Sequence, residues 1–233
     1  MATTVKIRVG NSAMGVYVGA PARQAPGPAI VLMHHRGGID RFTKSVVSRL
    51  VDGGYVVAVP DVYHRCPKKM PIPERKALLK DSEVVADVEA TIEALRMRSD
   101  VVADRIVVMG HCMGGRMALL VAGSLRDFCA VVVLYGGGVM RPWGEGATPF
   151  ERLRNIRGPV IGFFGNDDKN PSPEEVDQID AELSKHNIAH EFHRYDGVGH
   201  GFQNPAHDTL QERAAAENAW EKALAFLQRV AST

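Results

Sequence analysis

The sequence has few cysteines, and none of them is placed for a metal site or a disulfide framework. Its 233 residues include three, Cys66, Cys112 and Cys129. An odd number argues against a disulfide framework, and no C-x-x-C pair is present for a structural zinc site. His190 and His193 are one residue too close for the H-E-x-x-H zinc pattern. We therefore expect neither a metal nor a cofactor.

An excess of charge and a long apolar run are also missing. Lysine and arginine number 28 and the acidic residues 27, so the formal net charge is +1. Nucleic-acid and anionic-membrane binding need a basic excess, which argues against both kinds of partner. No window of about 18 apolar residues could span a bilayer, and the first residues have no apolar signal core. These features predict a cytoplasmic protein. We further expect a monomer or homodimer that acts on a small molecule.

What the chain does have is short apolar runs, the central ones β-branched, that alternate with amphipathic stretches. This alternation is typical of a parallel sheet with right-handed crossovers and helices on both faces. The predicted strands are Val5–Val9, Gly15–Gly19, Ala29–His34, Tyr55–Pro60, Arg105–Met109, Ala130–Tyr135, Val160–Phe164 and Glu191–Tyr195. The predicted helices are Arg41–Asp52, Pro73–Arg98, Met113–Leu125, Pro173–His186 and Asp208–Val230. No helix separates the first two strands, so we expect them to form an antiparallel edge hairpin, and residues 1–233 to form one α/β domain.

One cysteine lies in a sharp turn between a strand and a helix. Residues 110–115 read Gly-His-Cys-Met-Gly-Gly, directly after the apolar run 105–109. In α/β-hydrolases a turn of this layout, the nucleophile elbow, lifts a serine out of the sheet in a strained backbone conformation. Here the side chain is the thiol of Cys112, which predicts a cysteine nucleophile. Cys129 is expected in the core, and Cys66 has basic neighbours (Arg65, Lys68 and Lys69) that could depress its pKa but no positioned base.

A thiol nucleophile needs a base, and the base needs an acid to orient it. The chain supplies both after strands, in the order nucleophile, acid, histidine that α/β-hydrolases use. Asp167 and Asp168 follow one predicted strand, and His200 lies in a glycine-rich loop after the next. Position alone does not separate the two aspartates. His34 and His35 end another strand and could face the same cleft.

Two irregular stretches follow strands at the end where open α/β sheets place their ligands. Residues 61–73 contain three prolines, and residues 136–150 include Trp143. We interpret both as candidate walls of a substrate cleft; ordinary surface loops are the alternative.

The motifs together resemble the dienelactone hydrolase family, whose carboxymethylenebutenolidases hydrolyse an enol-lactone. The resemblance covers nearly the whole chain and rests on residues 110–115, on Pro-Asp-Val-Tyr-His-Arg at 60–65, on Gly165-x-x-Asp168 and on Gly-His-Gly-Phe at 199–202. It implies a compact α/β-hydrolase without a large cap domain, and a cofactor-free hydrolase of esters or enol-lactones. It also assigns the acid to Asp168.

The resemblance further implies a catalytic site with a Cys112-Asp168-His200 triad. In that site the backbone N–H groups of Met113 and Arg36 bind the oxyanion. His35, Arg65, Trp143 and Phe202 are the expected substrate-binding residues, and Arg75 is an alternative to Arg65 as a carboxylate-binding arginine.

Two positions depart from the family pattern. His35 stands where family members usually have a glutamate that helps to form the thiolate. Asn204 stands where they have one of two arginines for a substrate carboxylate, and asparagine cannot form a bidentate arginine-type contact.

The residues leave two other functions open. The same scaffold could carry a thioesterase or an amidase, because function depends on the cleft and not on the fold. It could also serve as a non-catalytic binding or sensor protein. A test that separates these possibilities is alkylation: faster modification of Cys112 than of Cys66 and Cys129 would favour an enzyme over a binding or sensor protein.

Overall fold

The structure is a computed structural model that describes residues 2–22, 25–67, 69–204 and 209–231. These residues form eight strands in one sheet, with helices on both faces. The strands are β1 (Ala2–Val9), β2 (Ser12–Gly19), β3 (Gly27–Met33), β4 (Val56–Pro60), β5 (Val101–His111), β6 (Ala130–Leu134), β7 (Val160–Gly165) and β8 (His190–Tyr195). The helices are α1 (Arg41–Asp52), α2 (Ile72–Ala77), α3 (Asp81–Arg96), α4 (Met113–Ala122), α5 (Pro149–Arg152), α6 (Pro173–Lys185) and α7 (Leu210–Ala231), and a turn of 3-10 helix covers Leu153–Asn155.

The strand order is β1-β2-β4-β3-β5-β6-β7-β8. Strands β3 to β8 pair in parallel, whereas β1 and β2 form an antiparallel hairpin attached to β4. Strands β4, β6 and β7 are buried along their whole length because helices cover both faces of the sheet. The mostly parallel sheet and the edge hairpin predicted from the sequence are both confirmed.

The single helix predicted over Pro73–Arg98 is wrong, because the chain forms two helices there. α2 ends at Ala77, Lys80 is extended (φ −122°, ψ 136°), and α3 begins at Asp81. The apolar period continues through this break, but Asp81 is anchored by a buried ion pair with Arg116 that fixes where α3 begins.

The structure also differs from the sequence prediction in the end of α4 and in one additional short helix. α4 ends at Ala122 instead of Leu125, and it is followed by Gly123, where a Cβ would overlap the backbone of Arg152. The sequence prediction missed α5, although Thr148 and Glu151 have the spacing of a capping box and form one. The predicted helix start at Asp208 lies outside the described residues.

The parallel strands all end at one edge of the sheet, and the loops that follow them form the cleft described below. Among the described residues no segment forms a separate cap over this edge, in agreement with the predicted compact fold. None of the helices described is long and apolar enough to cross a membrane.

Candidate active site

Cys112 lies at the turn between β5 and α4 in a strained conformation. Its φ of 56° and ψ of −121° are rarely adopted by residues other than glycine. The turn is possible because its glycines have no side chains: a Cβ on Gly110 would overlap the carbonyl of Gly114, and a Cβ on Gly114 would overlap the carbonyl of Met33. The predicted elbow is therefore present, with the sulfur of Cys112 on the wall of the cleft.

Asp168 and His200 reach the cleft from loops after β7 and β8. The two loops are in close contact, because Asp167 donates its N–H to the carbonyl of Val198 (3.0 Å) and Gly165 leaves no room for a Cβ beside that carbonyl. Gly165 of the Gly-x-x-Asp motif thus allows the acid loop to pack against the histidine loop.

His200 bridges the acid and the thiol. Its Nδ1 lies 2.7 Å from Oδ2 of Asp168, and its Nε2 lies 2.9 Å from Sγ of Cys112. Asp168 is buried, and its other oxygen accepts the backbone N–H of Asn170 (2.9 Å). The three side chains therefore form a continuous hydrogen-bonded chain.

The ionisation of the thiol and the imidazole is coupled. Burial alone would raise the pKa of Cys112, but the hydrogen bond and the charge of His200 outweigh burial and lower it. Burial alone would lower the pKa of His200, but Asp168 and Cys112 raise it to about 10. Both directions favour a thiolate beside an imidazolium.

Two backbone N–H groups act on the sulfur of Cys112. Those of Met113 and Arg36 both lower the pKa of Cys112. Met113 begins α4, whose N-terminal dipole adds to the effect. These two groups were predicted as the oxyanion donors, and the structure brings both to the thiol.

The cleft around these groups has a volume of about 720 Å³. Both predicted wall segments contribute to it, the first through Ile72 and Pro73 and the second through Gly138 and Trp143. The other lining residues are His35, Arg36, Gly37, Phe42, Lys76, Cys112, Met113, Arg116, Tyr135, Gly137, Asp168, Lys169, Asn170, His200, Gly201 and Asn204.

Two of the predicted substrate-binding residues do not reach the cleft. The guanidinium of Arg65 is bound in two places by the buried carboxylate of Asp87, with both N–O distances 2.8 Å. Phe202 is 1% exposed and packs against Tyr135 and Tyr195 beneath the histidine loop. Both are therefore corrections to the predicted site: Arg65 fixes a loop to α3, and Phe202 belongs to the core.

The thiol of Cys66 agrees with its interpretation as a bystander. Burial raises its pKa, so its basic neighbours do not make it a reactive thiolate. Cys129 is half-buried against the core, as expected, and burial raises its pKa too.

The sequence prediction missed Arg116. Its side chain is 1% exposed, forms an ion pair with Asp81 (2.7 Å), and donates to the carbonyls of Gly138 and Arg141. The guanidinium also stacks on the ring of Trp143, 3.7 Å from its centroid. Arg116 therefore fixes the cleft wall that presents Trp143. The sequence feature that could have revealed this role is that Arg116 is the only charged residue in the apolar helix α4.

A family model described as the dienelactone hydrolase family matches residues 14–231. The chain belongs to the dienelactone hydrolase family. It is a hydrolase of that family, as its motifs predicted.

Individual relatives agree over nearly the full length. A carboxymethylenebutenolidase of Rhodococcus opacus is 28% identical over 225 residues, which cover 91% of this chain and 85% of the relative. A Synechocystis protein provisionally named a carboxymethylenebutenolidase is 28% identical over 241 residues and covers 97% of this chain and 96% of its own. The crystal structure of a Klebsiella pneumoniae protein provisionally named a dienelactone hydrolase has a TM-score of 0.86 at 22% identity, over 97% of this chain and 98% of that one.

The positions that depart from the dienelactone hydrolase pattern line the cleft. The Nε2 of His35 is bonded to Asp40, the residue that caps α1, at 2.9 Å from its Oδ2. This nitrogen is therefore directed at Asp40 and not at the thiol. Asn204 lies on the cleft wall near His200. Positive charge comes instead from Arg36, Lys76 and Lys169, none of which forms an ion pair within the described part of the chain.

Proposed function

We propose that this protein is a cysteine-dependent hydrolase of small carboxylic esters or enol-lactones that works through a thioester on Cys112. The observation that carries the proposal is the imidazole of His200 between Sγ of Cys112 and the buried carboxylate of Asp168, at 2.9 and 2.7 Å. A nucleophile, its base and an orienting acid lie on one wall of a cleft that is large enough for a small ester.

In the acylation step the thiolate of Cys112 attacks the substrate carbonyl carbon. The negative charge that develops on the carbonyl oxygen accepts hydrogen bonds from the N–H groups of Met113 and Arg36. The C–O bond then breaks, and the Nε2 proton of His200 passes to the leaving oxygen. In an enol-lactone this C–O bond breaks easily, because the leaving group is a stabilised enolate.

In the deacylation step His200 takes a proton from water, which attacks the thioester carbon. The carboxylic acid departs, the thiolate re-forms, and the proton stays on His200. Throughout both steps Asp168 holds the imidazole in the required tautomer and stabilises its charged form.

We further propose that the substrate carries an anionic group. Arg36, Lys76 and Lys169 line the cleft, while its acidic residue, Asp168, is engaged by His200. Lysines bind a carboxylate as point charges and without the fixed fork geometry of arginine. We therefore expect broader acceptance of carboxylates than a two-arginine site would allow.

The test compares hydrolysis of p-nitrophenyl acetate and of a dienelactone by the wild-type protein and by Cys112→Ala. We expect both substrates to turn over, and both activities to be lost in the variant. Hydrolysis of the neutral ester alone, dependent on Cys112, would contradict the anionic substrate but keep the nucleophile. Turnover that survives Cys112→Ala would overturn the mechanism.

A further inference from the structure

The peptide between His35 and Arg36 is fixed from its carbonyl side. The carbonyl oxygen of His35 accepts hydrogen bonds from Nδ1 of His34 (2.7 Å) and from the N–H of Gly38 (3.0 Å). In a planar trans peptide the C=O and the following N–H point in opposite directions. Bonds that hold this carbonyl therefore direct the N–H of Arg36 the other way, toward the sulfur of Cys112.

The chemistry of His34 fits this one contact. A carbonyl oxygen only accepts, so Nδ1 of His34 must carry the proton. The residue is 1% exposed, and its Nε2 is buried without a partner in the described part of the chain. The neutral Nδ1–H form leaves only a lone pair unsatisfied at Nε2. Burial also lowers the pKa of His34, in keeping with this form.

The neighbouring hydrogen bonds fix other parts of the same loop. The hydroxyl of Tyr63 donates to the carbonyl of Arg36 (3.0 Å), which belongs to the next peptide. The side chain of His35 bonds to Asp40, so it does not hold the carbonyl of the peptide between His35 and Arg36. Apart from the turn bond from Gly38, His34 is thus the group among those described that holds this peptide plane.

The end of β3 is also held at a set distance from the elbow. A Cβ on Gly114 would overlap the carbonyl of Met33 and lie 3.0 Å from that of His34. Because the two backbones touch here, the distance between residues 34–36 and Cys112 is fixed. Only rotation of the peptide remains, and the imidazole of His34 opposes that rotation together with the turn bond from Gly38.

We infer that His34 is a positioning residue of the oxyanion hole, which keeps the N–H of Arg36 aimed at the reacting carbonyl oxygen. This inference rests on the proposed function. If the peptide rotated, it would present a carbonyl oxygen to the developing negative charge in place of a donor. His34 acts through the backbone and does not touch the substrate.

Two amide variants separate this role from general packing. The side-chain nitrogen of asparagine occupies nearly the place of Nδ1 of histidine, whereas that of glutamine is closer to Nε2. His34→Asn should therefore keep kcat within a few-fold of wild type. His34→Gln and His34→Leu should each lower kcat about 100-fold with little change in KM, which is the scale of losing one oxyanion donor. Should the leucine variant not fold, the contrast between the two amides still decides the question.

A direct readout is the acidity of a bound oxyanion. A trifluoromethyl ketone adds to Cys112 to give a hemithioketal, and a fluorine NMR titration reports the pKa of its hydroxyl. We expect that pKa to rise in His34→Gln and to be unchanged in His34→Asn. It should also be unchanged in His64→Leu, which removes another buried imidazole, bound to Asp87.

An unchanged hydroxyl pKa and kcat in His34→Gln, or equal impairment of the two amide variants, would overturn the role of His34. Failure of the wild-type protein to form the adduct on Cys112 would instead overturn the proposed function.

Discussion

At the scale of single residues, the reactivity of Cys112 depends on its contact with His200. The pKa of the thiol is lowered and that of the imidazole is raised to about 10. The thiolate should therefore persist as the pH falls below the usual thiol pKa, and alkylation should slow only below the lowered pKa. Replacing His200 by glutamine removes the charge and should move this midpoint upward.

The measurement is the rate of iodoacetamide modification of Cys112 between about pH 5 and pH 10, followed by peptide mass spectrometry. Cys66 and Cys129 provide internal controls, because burial raises the pKa of both. Equal rates at all three cysteines, with a midpoint unaffected by His200→Gln, would contradict the coupled pair.

The second prediction at this scale concerns which aspartate is the acid. Asp168→Asn replaces the oxygen that His200 faces with a group that can donate, so the imidazole loses its required tautomer. We expect kcat to fall by roughly 10⁴-fold, as in other triads of this kind. Asp167→Asn is the matched control, since the side chain of Asp167 is exposed and the carboxylate that His200 contacts is that of Asp168. A larger loss from Asp167→Asn than from Asp168→Asn would reverse the assignment.

At the scale of elements, one buried ion pair joins three segments of the chain. Arg116 on α4 binds Asp81 at the start of α3, and both bind the backbone of the loop that carries Trp143. Arg116→Met leaves the carboxylate of Asp81 buried without its partner. We expect this change to lower the free energy of unfolding by about 3–5 kcal/mol.

Urea unfolding of Arg116→Met, Asp81→Asn and the double variant measures this coupling. The double variant should be more stable than Arg116→Met, because it removes the uncompensated charge. A double variant whose loss equals the sum of the single losses would show that the two residues act independently.

The same contacts explain why local patterns fail here. The apolar period of residues 73–98 predicts one helix, but Asp81 is held by a residue 35 positions away. Likewise Arg65 has the position of a substrate-binding arginine, and Asp87 on α3 takes its guanidinium instead. Partners that distant cannot be read from local spacing.

At the scale of the whole molecule, buried neutral histidines make stability depend on pH. Burial lowers the pKa of His34, and lowers that of His111 to about 3 against the opposing hydrogen bond to Gln203. In the unfolded chain both should titrate near 6.5. The unfolded state therefore binds more protons below that pH, and stability falls between about pH 6.5 and pH 3. The pKa of His200 is raised, so its contribution is complete below pH 6.5 and does not oppose this loss.

Urea unfolding at pH 7 and pH 5 tests the effect. His111 alone should account for about 2 kcal/mol of the decrease. His111→Gln can keep the contact with Gln203 without a titrating group, so it should reduce the decrease by about that amount. An identical decrease in the variant and the wild type would contradict this account.

The overall architecture could be predicted from the sequence, because local patterns of apolar residues show where the parallel strands lie and where each strand ends. The sequence predicted all eight strands, the central ones from β-branched runs, and strand ends brought Cys112, Asp168 and His200 to one edge. Side-chain direction was not accessible in the same way. Phe202 adjoins the catalytic loop in sequence, yet its ring is in the core, and the role of Arg116 depends on three separate segments.

The central claim is that Cys112 carries the acyl group during turnover. The most direct measurement is mass spectrometry of the protein after an acid quench during steady-state hydrolysis of p-nitrophenyl acetate. The account predicts one acetyl group on the peptide that contains Cys112, lost on further incubation and absent from Cys112→Ala. Rapid turnover without that adduct, or an acetyl group on Cys66 or Cys129 that forms at the rate of turnover, would contradict it.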